Sequence, residues 1–264
     1  MASMMVSCGK VVPVKITDFL PIPDLEKCTN LLCIQPHPDD NEVGAGATIA
    51  KLARSGCKIT YLTVTDGSKG TDDPQLRGER LAKIRRKEAQ DAAALLGVHA
   101  HFFLEIEDGS YPDEKDLFER ISLIIRKVKP ELVMTVDPFL PYEAHPDHRK
   151  IGMAAAEACI AGSDGQDPDS AANPGGKPWK LEGIVFQSTA YPNTFINADE
   201  TWDLKMQAIL AHKSQFSPEA FAMLNVYFDG KAREYAEGRG FARAEAFKVL
   251  PLILLHMCVD TVNL

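Results

Sequence analysis

The feature that most limits the fold of this chain is an alternation of short apolar runs with longer stretches of helical spacing. Residues 31–35 (LLCIQ), 58–65 (KITYLTVT), 101–105, 131–136 and 183–188 read as strands, rich in β-branched and aromatic side chains. Between and after them, residues 46–55, 78–96, 114–128, 148–161, 201–215 and 217–237 carry helical spacing, and Gly97 stands where a C-terminal glycine cap would. Strands that alternate with helices form βαβ units, because parallel strands need a crossover that packs back on the sheet. The expected fold is therefore α/β, a Rossmann-like three-layer α/β/α arrangement around a mostly parallel sheet. Sheets of this kind bind ligands beyond the carboxyl ends of their strands.

The 264 residues contain no internal repeat and are read as one domain. Within it, residues 1–30 form an N-terminal extension, residues 162–178 a surface loop dense in Gly, Pro, Asp and Ser, and residues 216–264 a C-terminal helical segment. With 29 Lys and Arg against 37 Asp and Glu, the formal charge is −8, which argues against a nucleic-acid partner, since affinity for a phosphate backbone rests on clustered cations. No apolar run approaches the roughly 20 residues that cross a bilayer, so no membrane partner is expected. A basic segment followed by an apolar one is also missing near residue 1, and the expected setting is cytoplasmic.

The six cysteines (Cys8, Cys28, Cys33, Cys57, Cys159 and Cys258) make no C-x-x-C pair, so cysteine-ligated zinc is not indicated and buried free thiols are expected. Gly44-Ala45-Gly46-Ala47-Thr48 follows a strand as a dinucleotide fingerprint would, but Ile49 occupies the place of the third glycine. Close packing of small residues is the better account of that run.

Chemistry concentrates in two short segments. Pro36-His37-Pro38-Asp39-Asp40-Asn41-Glu42 follows the first strand, and His145-Pro146-Asp147-His148 follows the fourth, so both reach the same edge of the sheet. A lone His-Pro-Asp is ordinarily a turn. Two of them, offering complementary ligands at one edge, make a metal site. His37, Asp40 and His148 form a set of two imidazoles and one carboxylate suited to Zn²⁺ with one position left open, although other divalent metals fit the same donors. Asp39 is then a spare carboxylate able to act as general base. His145, as imidazolium, would stabilise an oxyanion and protonate a leaving amine, with Asp147 orienting it. Glu42 is read as supporting rather than ligating, and Tyr142, just before the second segment, as a residue lining the pocket.

These two segments resemble the hallmarks of the PIG-L/LmbE-like family of zinc N-acetylglucosaminyl deacetylases. The resemblance extends to Val64-Thr65-Asp66-Gly67, Arg85 with Glu88, Leu95-Leu96-Gly97, Asp108-Gly109 and His212-Lys213-Ser214-Gln215, from about residue 31 to residue 215. It implies His37, Asp40 and His148 as zinc ligands, Asp39 as base, His145 as oxyanion stabiliser and acid backed by Asp147, and Arg85 and Asp108 as partners of sugar hydroxyls. Without the resemblance, Arg85 would read as part of a solvated helix face and Asp108 as a turn residue. Asn41 departs from the pattern, since many members carry Glu directly after the Asp pair, whereas Glu42 matches another variant. The implied substrate is a small amino sugar, N-acetylglucosamine or diacetylchitobiose, with a thiol-glucosamine, glycolipid or antibiotic conjugate as the alternative. The likeness is greatest to the diacetylchitobiose deacetylase-type branch. That branch implies a homo-oligomer, as large as a hexamer, assembled through the C-terminal segment, in which His256 closes a neighbour's site; as a bare sequence position His256 also fits a core histidine. A non-catalytic sugar-binding domain would have no need of Asp39, His145 and Asp147 around a metal.

Overall fold

The computed structural model describes residues 15–110, 112–162 and 180–264, so residues 1–14 of the expected extension and residues 163–178 of the expected loop lie outside the description. The order of elements is β1 (Asn30–Gln35), α1 (Asp40–Arg54), β2 (Lys58–Thr65), α2 (Glu79–Leu95), β3 (Ala100–Ile106), α3 (Glu114–Val128), β4 (Leu132–Val136), α4 (Pro146–Gly162), β5 (Gly183–Gln187), β6 (Thr194–Asn197), α5 (Trp202–Ala211), α6 (Pro218–Ala236) and β7 (Ala244–Pro251). The strands lie in the order β3-β2-β1-β4-β5-β7-β6, and β1 to β5 all run parallel to one another. Strand order therefore reverses between β1 and β4, and the two segments singled out above leave the carboxyl ends of these two strands. An α/β sheet opens its ligand crevice at such a switch point.

The strand runs show no inside–outside alternation because both faces are covered. Leu31 and Cys33 pack with Ala45, Ile49 and Leu52 of α1, whereas Leu32 and Ile34 pack with Ile121 and Ile125 of α3 and Ala155 of α4. Both clusters lie almost wholly out of water, as in parallel sheets generally.

Two expectations need correction. Residues 216–264 are not helical throughout, since β7 inserts antiparallel between β5 and β6. Its run AEAFKVLP is buried nearly end to end and interrupted by Glu245 and Lys248, so neither a strand nor a helix pattern stands out in the sequence. Second, α1 starts at Asp40 rather than at residue 46, and α4 at Pro146 rather than at residue 148. The helices begin inside the motifs, and Asp40, Glu42 and Asp147 fall in first turns, where the helix dipole favours carboxylates.

The small residues of α1 have a packing cause. A Cβ at Gly46 would lie 3.0 Å from Lys205 Cγ, and one at Gly44 would collide with Gln187 Oε1 at 2.5 Å. Lys205 reaches past Gly46 to pair with Glu245, and the same carboxylate accepts the amides of Ala47 and Thr48 at 3.2 and 2.7 Å. Both partners of the pair are about 95% buried. Four of the cysteines, Cys28, Cys33, Cys57 and Cys159, are buried free thiols, and Cys258 is half-buried and also free. Among the described residues no helix is long and apolar enough to cross a membrane.

A buried ion pair costs most when only one partner is removed. Glu245→Ala should destabilise the protein by about 3–5 kcal/mol in urea denaturation, and the double change Lys205→Met, Glu245→Leu should recover part of that loss. Equal stability of Glu245→Ala and the parent would contradict the packing role.

Candidate metal centre

The end of β1 is fixed before any functional side chain is placed. Thr65 donates both its amide and its hydroxyl to Pro36 O, at 2.9 and 2.8 Å, which ties the turn after β1 to the end of β2. Gln35 donates to Thr63 Oγ1 at 2.8 Å and accepts the Asn41 amide at 2.8 Å, while Gln187 at the end of β5 donates to Asn41 Oδ1 at 3.2 Å. Asn41 is fully buried in this chain of amides, where a neutral side chain avoids the cost of burying another charge.

His37, Asp40 and His148 converge on this frame. Asp40 Oδ2 accepts the His37 backbone amide at 2.7 Å and lies 3.4 Å from His37 Nδ1, and Asp40 Oδ1 lies 3.5 Å from His148 Nε2. The remaining ring nitrogens face carboxylates: His37 Nε2 is 3.3 Å from Asp147 Oδ2 and 3.5 Å from Asp108 Oδ1, and His148 Nδ1 is 3.1 Å from Glu143 Oε2. Each imidazole thus directs one nitrogen at Asp40 and the other at a carboxylate that orients it, the usual support of a metal-ligating histidine. Ligands bound tetrahedrally at ~2.1 Å stand ~3.4 Å from one another. The donor atoms of His37, Asp40 and His148 all lie within 4.8 Å of each other, with the two contacts above at 3.4 and 3.5 Å, so the set fits a zinc-sized ion. His37, His145 and Asp147 form a second group within the same limit. That group is the poorer fit, because the Asp147 carboxylate is already engaged with His37.

The Asp147 carboxylate does not pair with His145 as expected; only the Asp147 backbone amide reaches that ring, donating to His145 Nδ1 at 3.3 Å. Asp147 is 1% exposed, and its carboxylate accepts from His37 and from the Gly109 amide at 3.0 Å, because the first turn of α4 aims it inward. His145 instead stays exposed, with its ring centroid 4.7 Å from that of His37 and 4.9 Å from that of His148. Burial, then the charges of His37 and His148, hold its pKa below the ordinary imidazole value.

Asp39 stands at the head of α1 with φ 133° and ψ −20°, a conformation suited to glycine. Arg85 holds it there: its guanidinium donates to Asp39 Oδ2 at 3.1 Å, to Pro38 O at 2.9 Å and to Gly67 O at 3.1 Å. Gly67 has φ +63°, and a Cβ on it would lie 2.5 Å from Arg85 Nη1, so the Thr65-Asp66-Gly67-Ser68 turn leaves the space the guanidinium needs. Arg85 is only 4% exposed, so it stands behind the base rather than on a surface open to sugar. Burial pushes Asp39 up to about 6, with Arg85 opposing and Asp40 adding to the rise. Burial disfavours charge on His37 as well, but the carboxylates of Asp108, Asp147 and Asp40 outweigh it and push the ring up to about 12. His37 in turn outweighs burial at Asp108 and holds it at about 2.

Two residues of the site were missed in the sequence. Glu143 orients His148, and its signal was a carboxylate two residues before His145. Asp66 joins the two loops around the site, its Oδ1 accepting the amides of Ser68 and Asp108 at 2.9 and 3.0 Å. Glu42 turns away from the ligand set, its carboxylate 3.4 Å from His212 Nε2 with both side chains fully buried. Glu88 accepts the Ser214 amide and hydroxyl at 2.9 and 2.6 Å, which joins two of the resemblance segments. Tyr142 is fully exposed with φ 68° and lines none of the clefts described below. His256 is exposed, which excludes the core reading; it follows β7, whose last residue Pro251 pairs with Gly183 at the opposite edge of the sheet from this centre.

Comparison with known proteins agrees with this geometry. The family described as PIG-L, GlcNAc-PI de-N-acetylase, matches residues 32–159, from β1 to α4. The diacetylchitobiose deacetylase of Thermococcus kodakarensis is 36% identical over 238 residues, which cover 90% of this chain and 88% of that protein. The solved structure of N,N'-diacetylchitobiose deacetylase from Pyrococcus horikoshii, in complex with its inhibitor MPG, superposes with a TM-score of 0.81 at 33% identity, covering 91% of this chain and 90% of that one. GalB, the 4-carboxy-2-hydroxymuconate hydratase of Pseudomonas putida KT2440, superposes with a TM-score of 0.69 at 23% identity, over 84% and 96% of the two chains, a likeness of fold alone.

Two outcomes follow from the geometry. Asp39→Gly should be more stable than Asp39→Ala by about 1 kcal/mol in chemical denaturation, since both lose the carboxylate and only glycine relaxes the backbone. Glu143→Gln should lower affinity for added Zn²⁺ by about 10–100-fold in a competition titration, as loss of a carboxylate behind a ligating histidine does; unaltered affinity would remove Glu143 from the site.

Proposed function

The chain belongs to the PIG-L (GlcNAc-PI de-N-acetylase) family and is a metal-dependent N-deacetylase, and from that premise we propose that it uses zinc to hydrolyse the acetamido group of N-acetylglucosamine in a small sugar such as diacetylchitobiose. One observation carries the reading. His37 Nδ1 and His148 Nε2 lie 3.4 and 3.5 Å from the two oxygens of Asp40, and a carboxylate outside that set, Asp39, is held next to it by Arg85 at 3.1 Å. Binding a sugar requires no such pair of a ligand set and a tethered base, whereas amide hydrolysis requires both.

A zinc ion held by His37, Asp40 and His148 would polarise the acetamido carbonyl and make water nucleophilic near neutral pH. Asp39 takes the proton of the attacking water, with Arg85 fixing the carboxylate in the necessary direction. The exposed His145 ring, beside His37, donates an N–H to the oxygen on which negative charge develops, a role its neutral form can perform. As the C–N bond breaks, the proton on Asp39 passes to the departing nitrogen, leaving acetate and a free amine. Asp147 and Glu143 hold the ligating imidazoles in the orientations described above. Sugar hydroxyls meet Asp108 and the charged cleft on the β3 side. Tyr142, projecting into solvent next to His145, contributes only if a substrate of more than one ring reaches it.

The same reading extends to assembly and setting. A homo-oligomer, as large as a hexamer, is supported by Ile253, Met257, Val259 and Val262, apolar side chains 55–91% exposed around His256. His256 then serves the neighbouring protomer's site. A cytoplasmic setting accords with thiols that stay free.

The test is acetate release from N-acetylglucosamine and diacetylchitobiose by protein stripped of metal and then reloaded with Zn²⁺. Release should vanish on stripping and return on loading, and Asp39→Ala should retain zinc while losing about 10²–10⁴ in turnover. Unchanged turnover in Asp39→Ala would remove the assigned base, and loaded protein inert on both sugars would transfer the chemistry to a glucosamine conjugate.

A further inference from the structure

Two clefts adjoin the metal centre, and they differ in chemistry. The cleft on the β3 side, about 430 Å³, is bounded by Pro38, Asp66, Glu105 and Glu107. Its aromatic ring, Phe103, offers no free face: His101 stacks on it at 4.0 Å and the Arg86 guanidinium covers it at 4.4 Å. The cleft on the β5 side, about 340 Å³, lies between α1, the loop after β4 and α6. Both volumes fall in the range of small-ligand sites.

The β5-side cleft borders the catalytic residues through the backbone. Its walls include Val43, whose amide bonds Asp39 O at 3.0 Å, and Leu140, whose carbonyl accepts the amide of Glu143 at 3.1 Å. Its far wall is one face of α6, where Tyr227, Lys231 and Tyr235 recur every four residues. Tyr227 is 63% exposed on a monomer surface, and Lys231 Nζ lies 5.0 Å from the Tyr235 ring. The cleft therefore combines the exposed ring of Tyr227 with tyrosine hydroxyls and the Lys231 ammonium, which also pairs with Glu234 at 2.7 Å.

We propose that this cleft is the subsite for a second pyranose ring, the one joined through the anomeric carbon of the N-acetylglucosamine unit that reacts. The proposal rests on the deacetylase reading above. In a 2-acetamido sugar the anomeric carbon is bonded directly to the carbon bearing the scissile amide, so a ring attached there lies immediately beside the metal centre. A pyranose presents a C–H face and a rim of hydroxyls. Tyr227 matches both, offering an apolar ring face and a hydroxyl that donates and accepts, and Lys231 adds a donor. The β3-side cleft, with its carboxylates and covered phenyl ring, matches only the hydroxyls, which suits the reacting ring.

The test compares kcat/KM for diacetylchitobiose with kcat/KM for N-acetylglucosamine in zinc-loaded parent, Tyr227→Ala and Tyr227→Phe, with the mass of each protein in solution measured by light scattering. Tyr227→Ala should lower the disaccharide-to-monosaccharide ratio about tenfold, and Tyr227→Phe, which keeps the ring, should preserve most of it. An unaltered ratio in Tyr227→Ala, in a parent that does deacetylate the monosaccharide, would overturn the subsite and leave the reaction standing. An equal fall on both sugars accompanied by a smaller assembly would overturn it too, by assigning Tyr227 to a contact between subunits. A parent inert on both sugars would fail at the earlier step, the deacetylase reading itself.

Discussion

The carboxylate of Asp40 is the interaction on which the rest of the site depends. It joins the loop after β1, through the amide and ring of His37, to the first turn of α4, through His148. Those two segments meet only because the strand order reverses between β1 and β4. Three further carboxylates, Asp108, Asp147 and Glu143, stand behind the two imidazoles. Such a density of negative charge out of water needs cations. In the chain by itself the raised pKa values of His37 and His148 provide them as protons. A divalent ion does the same task more compactly, and its uptake is coupled to loss of those protons.

Around this core the chain uses neutral amides and glycines to fix backbone, and charges only where chemistry needs them. Gln35, Asn41 and Gln187 link the ends of β1, α1 and β5 without burying a charge. Arg85 is a buried charge here, with Nη1 and Nη2 given to two carbonyls and to Asp39. That arrangement stabilises a strained residue and keeps a carboxylate from turning towards the metal ligands. Strain of this sort persists only where surrounding contacts over-determine it, and it collects at reacting groups.

The flanks of the centre are asymmetric for reasons of topology. On the β2–β3 side, the carboxyl ends of parallel strands carry Asp66, Glu105, Glu107 and Asp108, with Arg86 pairing Glu105 and Lys69 pairing Glu107, and the resulting cleft is lined by charges of both signs. On the β5 side the sheet turns antiparallel at β7, which places α6 and its tyrosines over the strand ends. An antiparallel edge thus supplies aromatic surface that a parallel sheet continued by another βα unit would not.

Much of the fold was legible in the sequence. Parallel strands covered on both faces must read as continuous apolar runs, and helices between them must show a 3.6-residue period, so the first five strands and all six helices could be read from the chain within a few residues, α1 excepted. The ligand types were legible for a similar reason: few arrangements other than a metal site place two His-Pro-Asp turns at one sheet edge. The tertiary structure alone decided the pairings. The Asp147 carboxylate bonds to His37, 110 positions away, and leaves its neighbour His145 only a backbone amide, while Arg85 lies buried against Asp39, 46 positions away, rather than in solvent. Strand β7 was hidden because Glu245 and Lys248 interrupt its apolar run, and only the fold reveals Lys205 as the partner of Glu245. Local periodicity records which face of an element is dry, but the direction of a side chain in a loop depends on groups brought up by distant strands, and those are positioned only when the sheet closes.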